Sequence, residues 1–259
     1  MESISQTLSQ SITEAKQLIS DSKNIYLIPS QKPEALGRST SEAITSTLAL
    51  FYTLKQQGKN VNLILDQQDG GLPENLKFLS PSLDFIFFPK NFVISVPNSV
   101  AQISQIYYEK NDDGLKIHLT LENGNIKKDN IAFYFSETKP DLIITLGVKN
   151  YQEELSKKLN PFGFLLDSPI LNIDTLTDSV QENKNFGKIN LVGKVSLSEI
   201  VFSLSNVLSK ELATCLLTGL VFYTNNFKKN VTANIFEIAS ILMKNGADLE
   251  NILSNIKLT

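Results

Sequence analysis

Four short, almost wholly apolar runs recur along this chain, each next to a stretch whose apolar residues fall at helical spacing. They are NIYLI (Asn24 to Ile28), VNLIL (Val61 to Leu65), DLIITLG (Asp141 to Gly147) and PILNID (Pro169 to Asp174). Runs of this length without polar alternation suit strands buried on both faces, and such strands belong to parallel sheets covered by helices. The first two frame a helical pattern, with Ala43, Ile44, Leu48, Phe51 and Leu54 on one face and Gly58 supplying a left-handed stop. Strand, helix and strand joined this way predict a right-handed parallel crossover. A leading helix is expected over residues 3 to 20, where Ile4, Leu8, Ile12, Ala15, Leu18 and Ile19 share a face. The expected architecture is a doubly wound, mainly parallel sheet of about five strands with helices on both faces, and DFIFF (Asp84 to Phe88) is read as one of the strands, after a helical turn over Pro73 to Leu79.

Between residues 91 and 135 the period shortens to two. FVISV, QIYYEK, LKIHLTLENG and IAFYF alternate, and Asp113-Gly114 and Asn123-Gly124 mark turns. The expectation is one α/β domain over 1–259 carrying an inserted antiparallel β-meander over 91–135. The α/β pattern then resumes, with a short helix expected over 150–159. The last third reads as helical over Leu197 to Leu208, Leu212 to Phe222 and Thr232 to Met243. Asn245-Gly246 ends the last of these, and Asp248 caps a short final helix.

Composition removes several classes of chemistry. The net charge of −3, with lysines dispersed or in isolated pairs, offers no basic field and argues against nucleic acid as a partner. One cysteine, Cys215, rules out an intramolecular disulfide and any multi-thiolate metal site, and its apolar setting predicts a buried, inert thiol. The N-terminus lacks the basic start and apolar run of a signal peptide, and no stretch reaches the length of a membrane span, so a soluble cytoplasmic protein with no membrane contact is expected. His118 is the only imidazole. It alternates with Ile117 and Leu119 and so falls on the polar side of a strand, unaccompanied by other ligands. A Ser-His-Asp triad would have to recruit it from the insertion, which leaves Ser203 and Ser205 as ordinary hydroxyls. Asp69-Gly70-Gly71 lacks the following Lys-Ser/Thr of a phosphate-binding loop and reads as a plain loop.

An ordered set of motifs runs through the second half: Asp174, Asn185-Phe186-Gly187, Asn190, Ser198-Glu199, Thr218-Gly219, Thr224, Phe227, Thr232 and Gly246-Ala247-Asp248. In this order and spacing the segment resembles the DHH phosphoesterase superfamily, which includes oligoribonuclease/phosphoadenosine-phosphate phosphatases, cyclic-dinucleotide phosphodiesterases and exopolyphosphatase-like proteins. EAITSTLALFYTLKQQGKNV (Glu42 to Val61) is similar to the family's first helix and the strand after it. The resemblance implies a site at the C-terminal strand ends where Asp and His side chains hold two Mn²⁺ or Mg²⁺ ions, which generate a hydroxide and clamp phosphate oxygens.

Carried over residue by residue, that site is depleted. The first motif falls on Leu36, Thr40 and Glu42, the strand-closing Asp of the second is Gly147, the Asp-His-His of the third is Asp174, Thr175 and Leu176, and the Asp of the fourth is Tyr223. Only Glu42 and Asp174 keep carboxylates, so the resemblance implies a domain with no catalytic residues and no resident metal. Such a domain is expected to bind a protein partner or a nucleotide-like ligand, or to pair with a second copy of itself through the strand edges of the insertion. The sequence ends at Thr259, soon after Gly-Ala-Asp, so the DHH-associated domain of active members is expected to be lacking. The enzyme alternative is a Mn-dependent phosphoesterase acting on short oligonucleotides or nucleotides through Glu42, Asp174 and Asp178. Each remaining acid also has a structural reading: Glu42 on the opening turn of its helix, favoured by the dipole; Asp174 capping a turn; Glu199 in a helix N-terminal turn.

Overall fold

The computed structural model describes residues 6–30, 38–65, 72–79, 90–137, 139–149, 154, 168–176 and 185–256. The chain divides into two compact units: Met1–Phe88 together with Lys139–Thr259, and Pro89–Thr138. The described elements open with α1 (Gln6–Asp21), β1 (Asn24–Pro29), α2 (Arg38–Gln56) and β2 (Asn60–Leu63), followed by a 3-10 turn over Glu74–Leu79. The smaller unit holds β3 (Lys90–Ser95), β4 (Ala101–Asn111), β5 (Gly114–Gly124) and β6 (Ala132–Glu137). Then come β7 (Leu142–Leu146), β8 (Ile170–Thr175), β9 (Ile189–Gly193), α3 (Leu197–Leu204), α4 (Lys210–Tyr223), α5 (Ala233–Lys244) and α6 (Leu249–Asn255).

The larger unit is built on one parallel sheet, ordered β2-β1-β7-β8-β9. From β1 the chain goes outward to β2 and later returns on the other side through β7, so the direction of winding reverses between β1 and β7. In doubly wound sheets that reversal opens a crevice at the carboxyl ends of the strands. One sheet face, with Ile25, Leu27, Ile144 and Ile173, merges with α1, α2 and the C-terminal helices into the main core. The other carries a smaller cluster of Tyr26, Ile28, Ile143 and Val148. The same face buries a polar pair, with the Thr145 hydroxyl donating to Asn172 Oδ1 at 2.9 Å. The apolar runs at 24–28, 61–65, 141–147 and 169–174 thus become strands as expected. The fifth described strand is Ile189–Gly193, which periodicity did not single out, while Asp84 to Phe88, the helix expected over 150–159 apart from Glu154, and Asp69-Gly70-Gly71 lie outside the described residues.

Helix α2 is buried at every position from 41 to 54, although its sequence shows only one apolar face. Hydroxyls make this tolerable: Thr47 and Thr53 donate back to the carbonyls of Ala43 and Ala49 at 2.6 and 3.0 Å, so few polar atoms are left unsatisfied. Helix α4 approaches α2 at Gly219, where a Cβ would fall 2.1 Å from Ser198 Oγ and 3.0 Å from Thr45 Oγ1. The Ser46 and Ser198 hydroxyls meet at 3.0 Å, which pins the start of α3 against α2.

The insertion is antiparallel, but its strands are not chained in order as a meander. β3 pairs with β6, and between them β4 and β5 form a separate two-stranded ribbon. Asn111 Oδ1 accepts the N–H groups of Asp113 and Gly114 at 3.2 and 3.1 Å and closes the ribbon's turn. Among the described residues no helix is long and apolar enough to cross a membrane.

Candidate functional site

The site implied by the sequence lies where β7 and β8 end and α3 begins. Gly147 follows β7, has φ +68°, and donates its N–H to the carbonyl of Ile173 at 2.9 Å. A Cβ at this position would sit 3.0 Å from the Cβ of Ala43. Both the left-handed backbone and the close approach of α2 favour glycine here, so a carboxylate side chain would be strained at this position. Asp174, near the end of β8, is buried, and its Oδ1 accepts the N–H of Thr175 at 2.7 Å. This bond is to the next residue of the same strand, not across a turn.

Glu42 departs from expectation. Helix α2 begins at Arg38 and has no acid in its first turn, so Glu42 is not placed to complement that helix's own dipole. Its carboxylate instead meets the start of another helix: Oε1 accepts the N–H of Leu197 at 2.7 Å, and the Ser198 N–H also reaches it. The first N–H groups of any helix lack intrahelical partners. In α3 these are satisfied by Glu42 and by a capping box, in which Ser196 Oγ accepts from Glu199 N–H and Glu199 Oε2 accepts from Ser196 N–H, both at 2.9 Å. Asn234 Nδ2 donates to the other oxygen of Glu199 at 2.6 Å. Glu199 therefore has the structural role its place in a helix N-terminal turn implies.

Burial dominates the electrostatics of Glu42. Desolvation pushes its carboxyl up to about 8, the two backbone donors oppose the shift, and the nearby charges of Glu199 and Asp174 add to it. Near neutral pH the group holds its proton. Tyr223, the last residue of α4, has its phenol raised by burial and further by the charges of Glu42 and Glu199. Beyond it Asn225, Asn226 and Phe227 all take left-handed backbone, with φ of 48°, 59° and 56°. Three such residues in a row cost on the order of 1 kcal/mol each. Thr224 holds the turn, its hydroxyl accepting from Phe227 N–H at 2.9 Å and its carbonyl from Lys229 N–H at 2.8 Å.

The fold thus gathers Glu42, Asp174, Glu199 and Tyr223 around one helix start, with Gly147 against the same helix α2. Thr40 is half-buried in α2, Thr175 closes β8, and Leu176 is exposed one residue further on. Leu36 and Asp178 lie outside the described residues. Sequence reasoning missed Ser30 and Glu154. Ser30 follows β1 at the winding reversal and donates to Glu154 Oε2 at 2.5 Å, while Glu154 Oε1 accepts the N–H of Lys149 at 3.0 Å. Nothing local could have flagged Glu154, which sits in a charged stretch that reads as a solvated helix.

The Glu42, Glu199 and Asp174 carboxylates already accept protein N–H groups, and among the described residues no three His, Cys, Asp or Glu side chains are grouped as a metal requires. His118 lies in the smaller unit, stacked on Tyr107 with ring centroids 4.4 Å apart, and Cys215 is a buried thiol pushed up by desolvation.

No protein-family model matches the chain, and no curated protein does. A solved structure is similar: an exopolyphosphatase-related protein from Bacteroides fragilis, with a TM-score of 0.62 and 18% identity, over 97% of this chain and 61% of that one. The likeness shows the fold. This chain spans about three-fifths of that protein's length.

Proposed function

We propose that this is a DHH-like domain that has lost its dinuclear metal site and serves as a binding or interaction module, in the cytoplasm, for a protein partner or a nucleotide-like ligand. The fold shared with an exopolyphosphatase-related protein and the ordered motifs from Asp174 to Asp248 support the phosphoesterase-like ancestry. One observation carries the loss of chemistry: the carboxyl of Glu42, the last acid of its motif, is buried against the Leu197 N–H at 2.7 Å and raised to about 8, so it holds up a helix rather than a cation. Gly147 supports the same reading, because the left-handed backbone there and the nearness of Ala43 disfavour an aspartate. Calorimetric titration with Mn²⁺, alongside hydrolysis assays on a short RNA and a chromogenic phosphodiester, is expected to show neither binding nor turnover. Metal-dependent turnover abolished by Asp174→Ala would overturn the proposal in favour of a phosphoesterase.

A further inference from the structure

The β4/β5 ribbon is amphipathic along its length. On one face Gln105 opposes Thr120, Tyr107 opposes His118 and Glu109 opposes Lys116, all suited to water. On the other, Ile103 opposes Leu121, Ile106 opposes Leu119 and Tyr108 opposes Ile117, with Lys110 beside Leu115 at the tip. Ile106, Tyr108, Leu115, Ile117 and Leu121 on this second face are exposed by 36% to 72%. Within its unit the ribbon pairs with no third strand among the described residues. Two strands alone are marginal in water, and a ribbon needs a further layer on its apolar face to be stable.

We infer that this face is a homodimer interface, with a second copy of the chain packing its own ribbon face to face across a two-fold axis to form a four-stranded, two-layer sandwich. Three features select a second copy. The face carries no acid and a single cation at one end, so it presents no charge code for a partner of different surface, and a two-fold pairing creates no like-charge contact along its middle. The chain's net charge of −3 opposes self-association only weakly. The size fits a weak pairing: strands of 11 residues make a ribbon about 36 Å long and about 10 Å wide, a footprint of about 360 Å² per copy and roughly 700 Å² for the pair, short of the ~1,200 Å² of a stable specific interface. The dimer is therefore weak and concentration-dependent. The inference does not depend on the strand-end site and stands whether or not that site hydrolyses anything.

Sedimentation equilibrium of the full chain from about 5 to about 500 µM tests it. A reversible monomer–dimer equilibrium is expected, weakened at least about thirtyfold by Ile106→Lys with Ile117→Lys, and by less than about threefold by Thr120→Lys on the polar face. The milder Ile106→Ser should weaken it in the same direction, with far-UV circular dichroism checking that each variant is folded. A chain still monomeric at the highest concentration would overturn the inference and leave the face to a different protein. A dimer that the double substitution leaves intact would place the interface elsewhere and overturn it equally.

Discussion

Isoleucines of the parallel sheet and isoleucines of the ribbon meet opposite fates. Ile143 and Ile144 are neighbours in β7, point to opposite faces, and are both fully buried, because helices or other chain cover each side of a parallel sheet. Ile106 and Ile117 lie on one face of an antiparallel ribbon, and both are exposed. The lesson is that the hydrophobic period tells how many faces of a strand require cover, while what supplies the cover is a separate matter. On the Ile144 face of the larger unit it is the chain's own helices; for the ribbon face it is the proposed second copy.

Substitutions of graded effect sharpen this contrast. Gly219→Val should be the most damaging, because even a Cβ meets Ser198 Oγ and Thr45 Oγ1 in a fully closed helix contact. A loss of roughly 3 kcal/mol or more in urea unfolding, or failure to fold, is expected, and a loss below about 1 kcal/mol would mean the α2–α4 contact is looser than described. Glu42→Gln should act through pH. The folded carboxyl titrates near 8 against an ordinary 4.5, so the folded state keeps a proton that the unfolded chain releases. Its contribution is complete below the unfolded value and is lost as pH rises towards 8. Between about pH 5 and about pH 8 the wild type should lose roughly 3.5 kcal/mol, and Glu42→Gln, whose amide oxygen can still accept from Leu197, should lose distinctly less. Equal pH slopes for the two proteins would refute the buried, protonated state. Least affected should be Ile106→Ser. At concentrations where the chain is monomeric it should shift stability by no more than about 0.5 kcal/mol, since the side chain is 68% exposed. A larger shift would show that the ribbon face packs within its own chain.

Much of the fold was legible because its causes are local. Buried strands declared themselves as apolar runs. Ser196 with Glu199, and Asp248 with the N–H of Asn251, were readable as caps because the bonds span three residues. Strand β9 was not, because five residues interrupted by Asn190 carry too little pattern, and Asn190 is there for a turn, exchanging bonds with Gly187 at 3.0 and 2.8 Å. The nested pairing of β3 with β6 was likewise hidden: alternation marks strands without saying which neighbour each takes.

For the candidate site the sequence marked, through the resemblance, which positions offer no metal ligand, since a glycine or a leucine side chain cannot bind a metal in any fold. Alone it also determined element type, since propensity, period and capping act over a few residues. Only the tertiary structure decided what the surviving acids do. Glu42 and Leu197 are 155 residues apart in the chain, and it is burial by the whole domain that raises this carboxyl and turns it into a helix cap. Desolvation is a property of everything packed around a group, and no window of sequence contains it.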